Sequence, residues 1–276
     1  MILRYAAFTT DPTTGNPAGV VLDADGMPDE EMRRIAKEVG YSETAFAVPV
    51  GDRRFAVRYF SPLAEVQFCG HATIATAVAL ADRDTPGDLL FETKAGEIPV
   101  STEQRESIVA TLTSVPTHSR PATDKELTEA LAALNWSQTD LDPQWPAHVA
   151  FAGNDHLVLA ASTRTRLATL DYHFESLKSL MQEAGWTTLQ LFWPEDDHKI
   201  HARDPFPVGG VVEDPATGAA AAAFGGYLRA IGKVPTPREL LIVQGEDMGR
   251  RSELTINVHP TDPKVTVTGT ATRIPD

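Results

Sequence analysis

A single cysteine, Cys69, stands in 276 residues. No intrachain disulfide can form, and nothing in the cysteine usage points to export. No apolar run approaches the roughly 20 residues that a membrane-spanning helix needs, so no membrane partner is expected. The opening stretch MILRYAAFTTDPTTGNP has an apolar patch too short for a secretory signal and lacks the basic lead, so a cytoplasmic address is expected. Positive charge is scarce too: 24 Lys and Arg stand against 38 Asp and Glu, a formal net charge of −14. The cations are scattered and form no basic stripe, which argues against nucleic acid as a partner. No Walker or Rossmann glycine pattern is present, so no nucleotide or nicotinamide cofactor is expected. DDHKIH, residues 196–201, sets His198 and His201 three apart beside two aspartates, but an exposed loop is the expected reading and no metal is assigned. An anionic ligand would have to find its positive charge locally, for example at helix N-termini.

What the chain does contain is one plan used twice. FCGHATIATAVAL (68–80) and VEDPATGAAAAAF (212–224) each place a glycine just ahead of a helix made of Ala, Thr and small aliphatics. Other landmarks recur in the same order. Gly15-Asn16 precedes the apolar run GVVLDA, and Gly153-Asn154 precedes DHLVLAA. The helical EEMRRIAKEVG leads into GYSETAFAV, and ESLKSLMQEAG leads into GWTTLQLFW. RYFSP precedes the first small-residue helix and RDPFP the second. From Gly70 to Gly96 is 26 residues, and from Gly218 to Gly245 is 27. Each landmark alone is a common turn signal, but shared order and spacing are hard to obtain by chance.

β-rich, partly alternating segments surround each small-residue helix, and those helices have no polar face, so each should be buried all round by sheet. The expected fold is therefore α+β: two pseudo-symmetric domains, each a curled, mostly antiparallel, barrel-like sheet around a central helix. The expected boundaries are 1–118 and 119–263, with the final strand, 264–276, returning to the first domain. Asp214 before Pro215 reads as a cap candidate for the second helix.

The first amides of a helix lack internal partners and carry partial positive charge. Glycine and alanine there let an anion approach the backbone, although small residues also serve tight packing. If the halves pack as mates, the two helix starts would hold one small carboxylate in the cleft between them. The two halves differ at one telling place: where the first has Glu43 in GYSET, the second has Thr188 in GWTTL. A carboxylate on one side only suits single-sided acid–base chemistry; the plain alternative is a solvated turn residue.

GNPAGVVL, SETAF, RYFSP, FCGHAT and VVEDPATG, in this order, resemble the PhzF-like family, named for phenazine biosynthesis. The resemblance covers nearly the whole chain and implies a fold like that of diaminopimelate epimerase. It implies an isomerase without a cofactor, moving a hydrogen along a small carboxylic acid by general acid–base catalysis, and a homodimer. It places the acid/base on Glu43, supporting roles on His71 and Asp214, and carboxylate binding on the backbone of Gly70, Thr217, Gly218 and Ala219. Asn16 and Ala72 complete the candidate substrate contacts. His71 would donate to developing charge or relay the proton. Asp214 would orient it or hold a substrate amine. The family motif usually ends DPATGS; here Ala219 replaces the serine and a hydroxyl donor is lost.

Two rivals follow. Racemases of this fold use two cysteines, which one cysteine excludes. Cys69 with His71 as a nucleophilic pair is disfavoured, since residues i and i+2 at a helix start should point apart; lining or core filling is the expectation. The other rival is a non-catalytic small-acid-binding or interaction protein that keeps the fold.

Overall fold

The structure is a computed structural model describing residues 1–275. The chain divides into two compact lobes: residues 1–113 with the C-terminal segment from Val267, and Ser114–Thr266. In the first lobe the order is β1 (Leu3–Ala7), β2 (Asn16–Val21), α1 (Asp29–Val39), β3 (Glu43–Gly51), β4 (Arg54–Phe60), β5 (Glu65–Val66), α2 (Gly70–Arg83), β6 (Asp88–Thr93), β7 (Gly96–Gln104) and β8 (Ile108–Thr113). The second lobe follows with β9 (His118–Pro121), α3 (Asp124–Leu134), β10 (His148–Phe151), β11 (Asp155–Ala160), α4 (Arg164–Ala168), α5 (Phe174–Ala184) and β12 (Trp186–Pro194). It continues through β13 (Lys199–Pro205), β14 (Glu213–Asp214), α6 (Gly218–Ala230), β15 (Arg238–Gln244) and β16 (Ser252–Val258). The last strand, β17 (Val265–Arg273), pairs with both β1 and β8.

That return closes the first lobe. β1, β2, β3, β4, β6, β7, β8 and β17 form a closed 8-strand ring. Most neighbours are antiparallel; β2–β3 and β4–β6 are parallel because a helix, α1 or α2, makes each crossover. α2 fills the ring, and every residue from Gly70 to Ala81 is buried. A helix surrounded by sheet has no solvent face to make polar, which explains its Ala-rich composition. The hydroxyls of Thr73 and Thr76 donate back to the carbonyls of Cys69 and Ala72, both at 2.7 Å, so neither is left unpaired in the core.

The second lobe repeats the plan. β9, β10, β11, β12, β13, β15 and β16 are successive neighbours in a sheet around α6, with the parallel steps again at the crossovers, β11–β12 and β13–β15. α6 packs so closely that Gly225 and Gly226, in its middle, have no room for a side chain. A Cβ on Gly225 would lie 2.8 Å from Val265 Cγ2, and one on Gly226 would lie 2.8 Å from Thr117. On the outer faces, α1 closes a small apolar cluster with Phe46 and Phe60, while α3 and α5 cover a larger one containing Trp136, Trp186 and Met181.

The repeat is exact in register over its middle. From Gly40 to Arg58 is 18 residues, and from Gly185 to Arg203 is 18. Gly40 and Gly185 both end their helices in the left-handed conformation, φ 71° and 75°, which a side chain would strain. Arg58 holds Glu65 with two bonds of 2.8 Å, and Arg203 holds Glu213 at the same distance. Each pair ties a two-residue strand beside the entry to its central helix. No helix among the described residues is long and apolar enough to cross a membrane.

Candidate active site

In the first lobe the repeat delivers a cluster at the N-terminus of α2. Glu43 opens β3, with its side chain 14% exposed, and the His71 side chain is 5% exposed. His71 Nε2 lies 3.5 Å from Glu43 Oε2 and 3.4 Å from Ser42 Oγ. Cys69 Sγ lies 3.3 Å from His71 Nδ1 and 3.6 Å from Glu43 Oε2. A carboxylate, an imidazole and a thiol are thus in mutual contact. The thiol is where the sequence expectation fails. Cys69 is the cap residue, not a helical one, and its extended backbone (φ −145°, ψ 115°) swings the side chain onto the His71 ring. Residue spacing inside a helix does not apply one step outside it.

Neither central helix is capped by the side chain ahead of it. The Cys69 thiol is turned to His71 and Glu43, and the Thr217 hydroxyl donates to Asp214 Oδ2 at 2.6 Å. The first amides of both helices are therefore not claimed by their cap residues, the condition for receiving an anion. Asp214 is not the cap of α6: the helix begins at Gly218, Thr217 occupies the cap position, and Asp214 sits in β14 paired with Asp204 of β13. The Thr217 N–H already donates to Gln244 Oε1 at 3.1 Å, which leaves Gly218 and Ala219 as the backbone donors of that start. Gly70, Ala72 and Gly218 are buried, and Ala219 is half-buried. Asn16, buried at the start of β2, shares a strand face with Ala18, which is the partner of Glu43 in register.

One ligand atom from each of Glu43, Cys69 and His71 lies within 4.8 Å of the others, an oxygen–sulfur–nitrogen set that could also accept a borderline cation. His201 of DDHKIH is instead held between Glu195 (2.6 Å) and Glu246 (3.0 Å), apart from the exposed His198. The sequence reading missed Ser42 beside His71. It also missed a buried polar line in the second lobe, where His156 Nδ1 lies 2.8 Å from Thr188 Oγ1 and the Thr188 hydroxyl donates to Asp204 Oδ2 at 3.4 Å.

Comparison with known proteins gives a match to the phenazine biosynthesis-like (PhzC-PhzF) family over residues 5–275. The chain belongs to that family. Its relatives include the uncharacterized isomerase YfhB of Bacillus subtilis, 30% identical, covering 98% of this chain and 95% of that protein. Another is trans-2,3-dihydro-3-hydroxyanthranilate isomerase of Pseudomonas aeruginosa, 31% identical over 90% of this chain and 86% of the relative. Among solved structures, the Bacillus anthracis phenazine biosynthesis protein of the PhzF family superposes with a TM-score of 0.88 at 28% identity, covering 99% and 96% of the two chains. A hydroxyproline epimerase from Agrobacterium vitis, at 14% identity and TM-score 0.68 over 99% of this chain and 90% of its own, shares the fold alone. These relatives place the chain among isomerases, with an epimerase-like α+β fold.

Proposed function

We propose that the protein is a cofactor-independent isomerase of a small carboxylic acid and that Glu43 carries the proton. The observation behind this reading is the contact of Glu43 with His71 and Cys69 at an uncapped helix start. Glu43 takes a proton from a carbon next to an activating group and returns it one position or one face away. His71, already against Glu43, donates to the developing charge or passes the proton on. The amides at Gly70 and Ala72 receive the substrate carboxylate. That Gly218, Ala219 and Asp214 serve the same substrate, held between the lobes, is part of the proposal and draws on the repeat in the sequence. So are a homodimeric state and a cytoplasmic address.

The test is deuterium uptake. Candidate acids, beginning with trans-2,3-dihydro-3-hydroxyanthranilate and extending to small cyclic and amino carboxylates, are incubated in deuterated water and read by mass spectrometry. The wild type should exchange one of them, and Glu43→Gln should lower that rate by about a hundredfold or more, the usual contribution of a positioned acid–base group. Undiminished exchange in Glu43→Gln removes Glu43 from the mechanism. Tight binding of an acid without exchange in the wild type would favour the alternative, a small-acid-binding protein.

A further inference from the structure

Three atoms of metal-ligand type at the start of α2 form a nearly regular triangle. Glu43 Oε2 lies 3.5 Å from His71 Nε2 and 3.6 Å from Cys69 Sγ, and Sγ lies 3.8 Å from the same ring nitrogen. A tetrahedral zinc binds sulfur at about 2.3 Å and nitrogen or oxygen at about 2.0–2.2 Å. Those bonds set N and O about 3.4 Å apart, and sulfur about 3.6 Å from each. Every edge of the triangle falls within about 0.2 Å of that spacing, the tolerance expected of a real site. Sγ is nearer still to Nδ1, at 3.3 Å, which is short for two ligands of one ion. Nε2 is therefore the ligand nitrogen, and it is the one that faces the carboxylate.

The donor set selects the ion as well. Thiolate and imidazole suit zinc, whereas magnesium and calcium take oxygen ligands. Three protein ligands leave a fourth position for water, the arrangement of open zinc sites rather than of closed structural ones. The fold holds all three in place: Glu43 opens β3, Cys69 is held extended before α2, and His71 lies in the first turn of that helix. Cys69 and His71 are buried, while the partly exposed Glu43 leaves a way in from solvent. The Ser42 hydroxyl, 3.4 Å from Nε2, makes a long contact that a metal bond replaces at little cost. On binding, the thiol gives its proton to solvent and coordinates as thiolate.

We propose that Glu43, Cys69 and His71 form an inhibitory zinc site, in which the ion occupies the carboxylate oxygen that faces the imidazole and the thiol. The inhibition rests on the reading of Glu43 as the acid/base; the metal site does not. A carboxylate whose lone pair is held by zinc takes no proton from carbon. The zinc-bound protein should therefore behave as Glu43→Gln does.

Cobalt(II), a spectroscopic stand-in for zinc, tests the site. Cys69 is the single cysteine of the chain, so a sulfur-to-cobalt charge-transfer band can arise only there. The wild type should show that band at one cobalt per chain, lose it to added zinc, and keep it in excess magnesium or calcium. His71→Ala and Glu43→Gln should each weaken cobalt binding by at least the roughly tenfold that even a ligand's own partner is worth. No band, or equal affinity in the wild type and both variants, overturns the site. Should a variant fail to fold by circular dichroism, the wild-type band and its displacement by zinc still decide. In deuterium exchange, saturating zinc should lower the wild-type rate by about a hundredfold, and a chelator should restore it. The ratio of rates without and with zinc should fall by about tenfold or more in Cys69→Ala. Wild-type exchange that survives zinc sufficient to displace cobalt, or an equal ratio in Cys69→Ala, overturns the inhibition. Absence of exchange in the metal-free wild type would sink the isomerase reading, while the cobalt band still decides the metal site.

Discussion

Cys69 shows how one backbone torsion decides which side chains meet. Held extended just before α2, it places a polarizable sulfur against the face of the site where His71 and Glu43 already touch. The sulfur lies nearer the imidazole than the carboxylate, which suits packing and orientation of His71 rather than proton carriage. Cys69→Ala should therefore keep deuterium exchange within about tenfold of wild type, far from the roughly hundredfold loss that removal of an acid–base group entails. A loss as deep as that of Glu43→Gln would make the thiol a proton carrier. Glu43, His71 and Asp214 stand out in the sequence because polar residues flanking a bare helix are conspicuous. The thiol contact was illegible because it depends on a torsion, not a spacing. Asp204 was legible in principle: aligning RDPFP with RYFSP sets a carboxyl against the ring of Tyr59, an exchange that demands buried partners. Thr217 misled in the other direction, since Asp-Pro is a common helix entry and the cap came three residues later.

At the level of elements, burial against sheet explains the alanine runs, and the proposed anion site would add a second reason at the helix start. The glycines of α6 separate these effects. Gly225→Ala would gain about 1 kcal/mol of helix propensity. Against this, the added methyl would sit 2.8 Å from Val265 Cγ2 and 2.9 Å from Val258 Cγ2. Both valines are buried and stiff at their branched Cβ, so they yield poorly. Overpacking of this kind costs about 1–3 kcal/mol, and the net should be a loss of stability, read as a lower urea midpoint. A midpoint equal to or above wild type would mean that α6 can shift in its sheet. Helices α1 and α5 were readable from their periodicity and the glycines that end them. The parallel neighbours of β4 and β13 were not, because pairing across a buried helix leaves no local mark in the chain.

For the whole molecule, the repeat made two lobes with a central helix each legible from residue order alone, and the terminal segment KVTVTGTATRI was readable as a returning strand. What could not be read was that this strand completes a ring, since closure depends on which edges remain unpaired. β17 bonds to β1 on one side and β8 on the other. Removing residues 265–275 should therefore bare two strand edges at once, and such edges recruit other chains. The shortened protein should elute as large aggregates in size-exclusion chromatography, and a well-behaved product with native circular dichroism would show that the remaining strands close without it.

The same strand imposes an order on biosynthesis. A ribosome releases Leu3 long before Arg273, yet both residues lie in strands of one ring. The lobe that is translated first must therefore wait, nascent and open, until the later lobe has wholly emerged. Any pause in translation shortly before β17 lengthens the time that β1 and β8 spend exposed to chaperones.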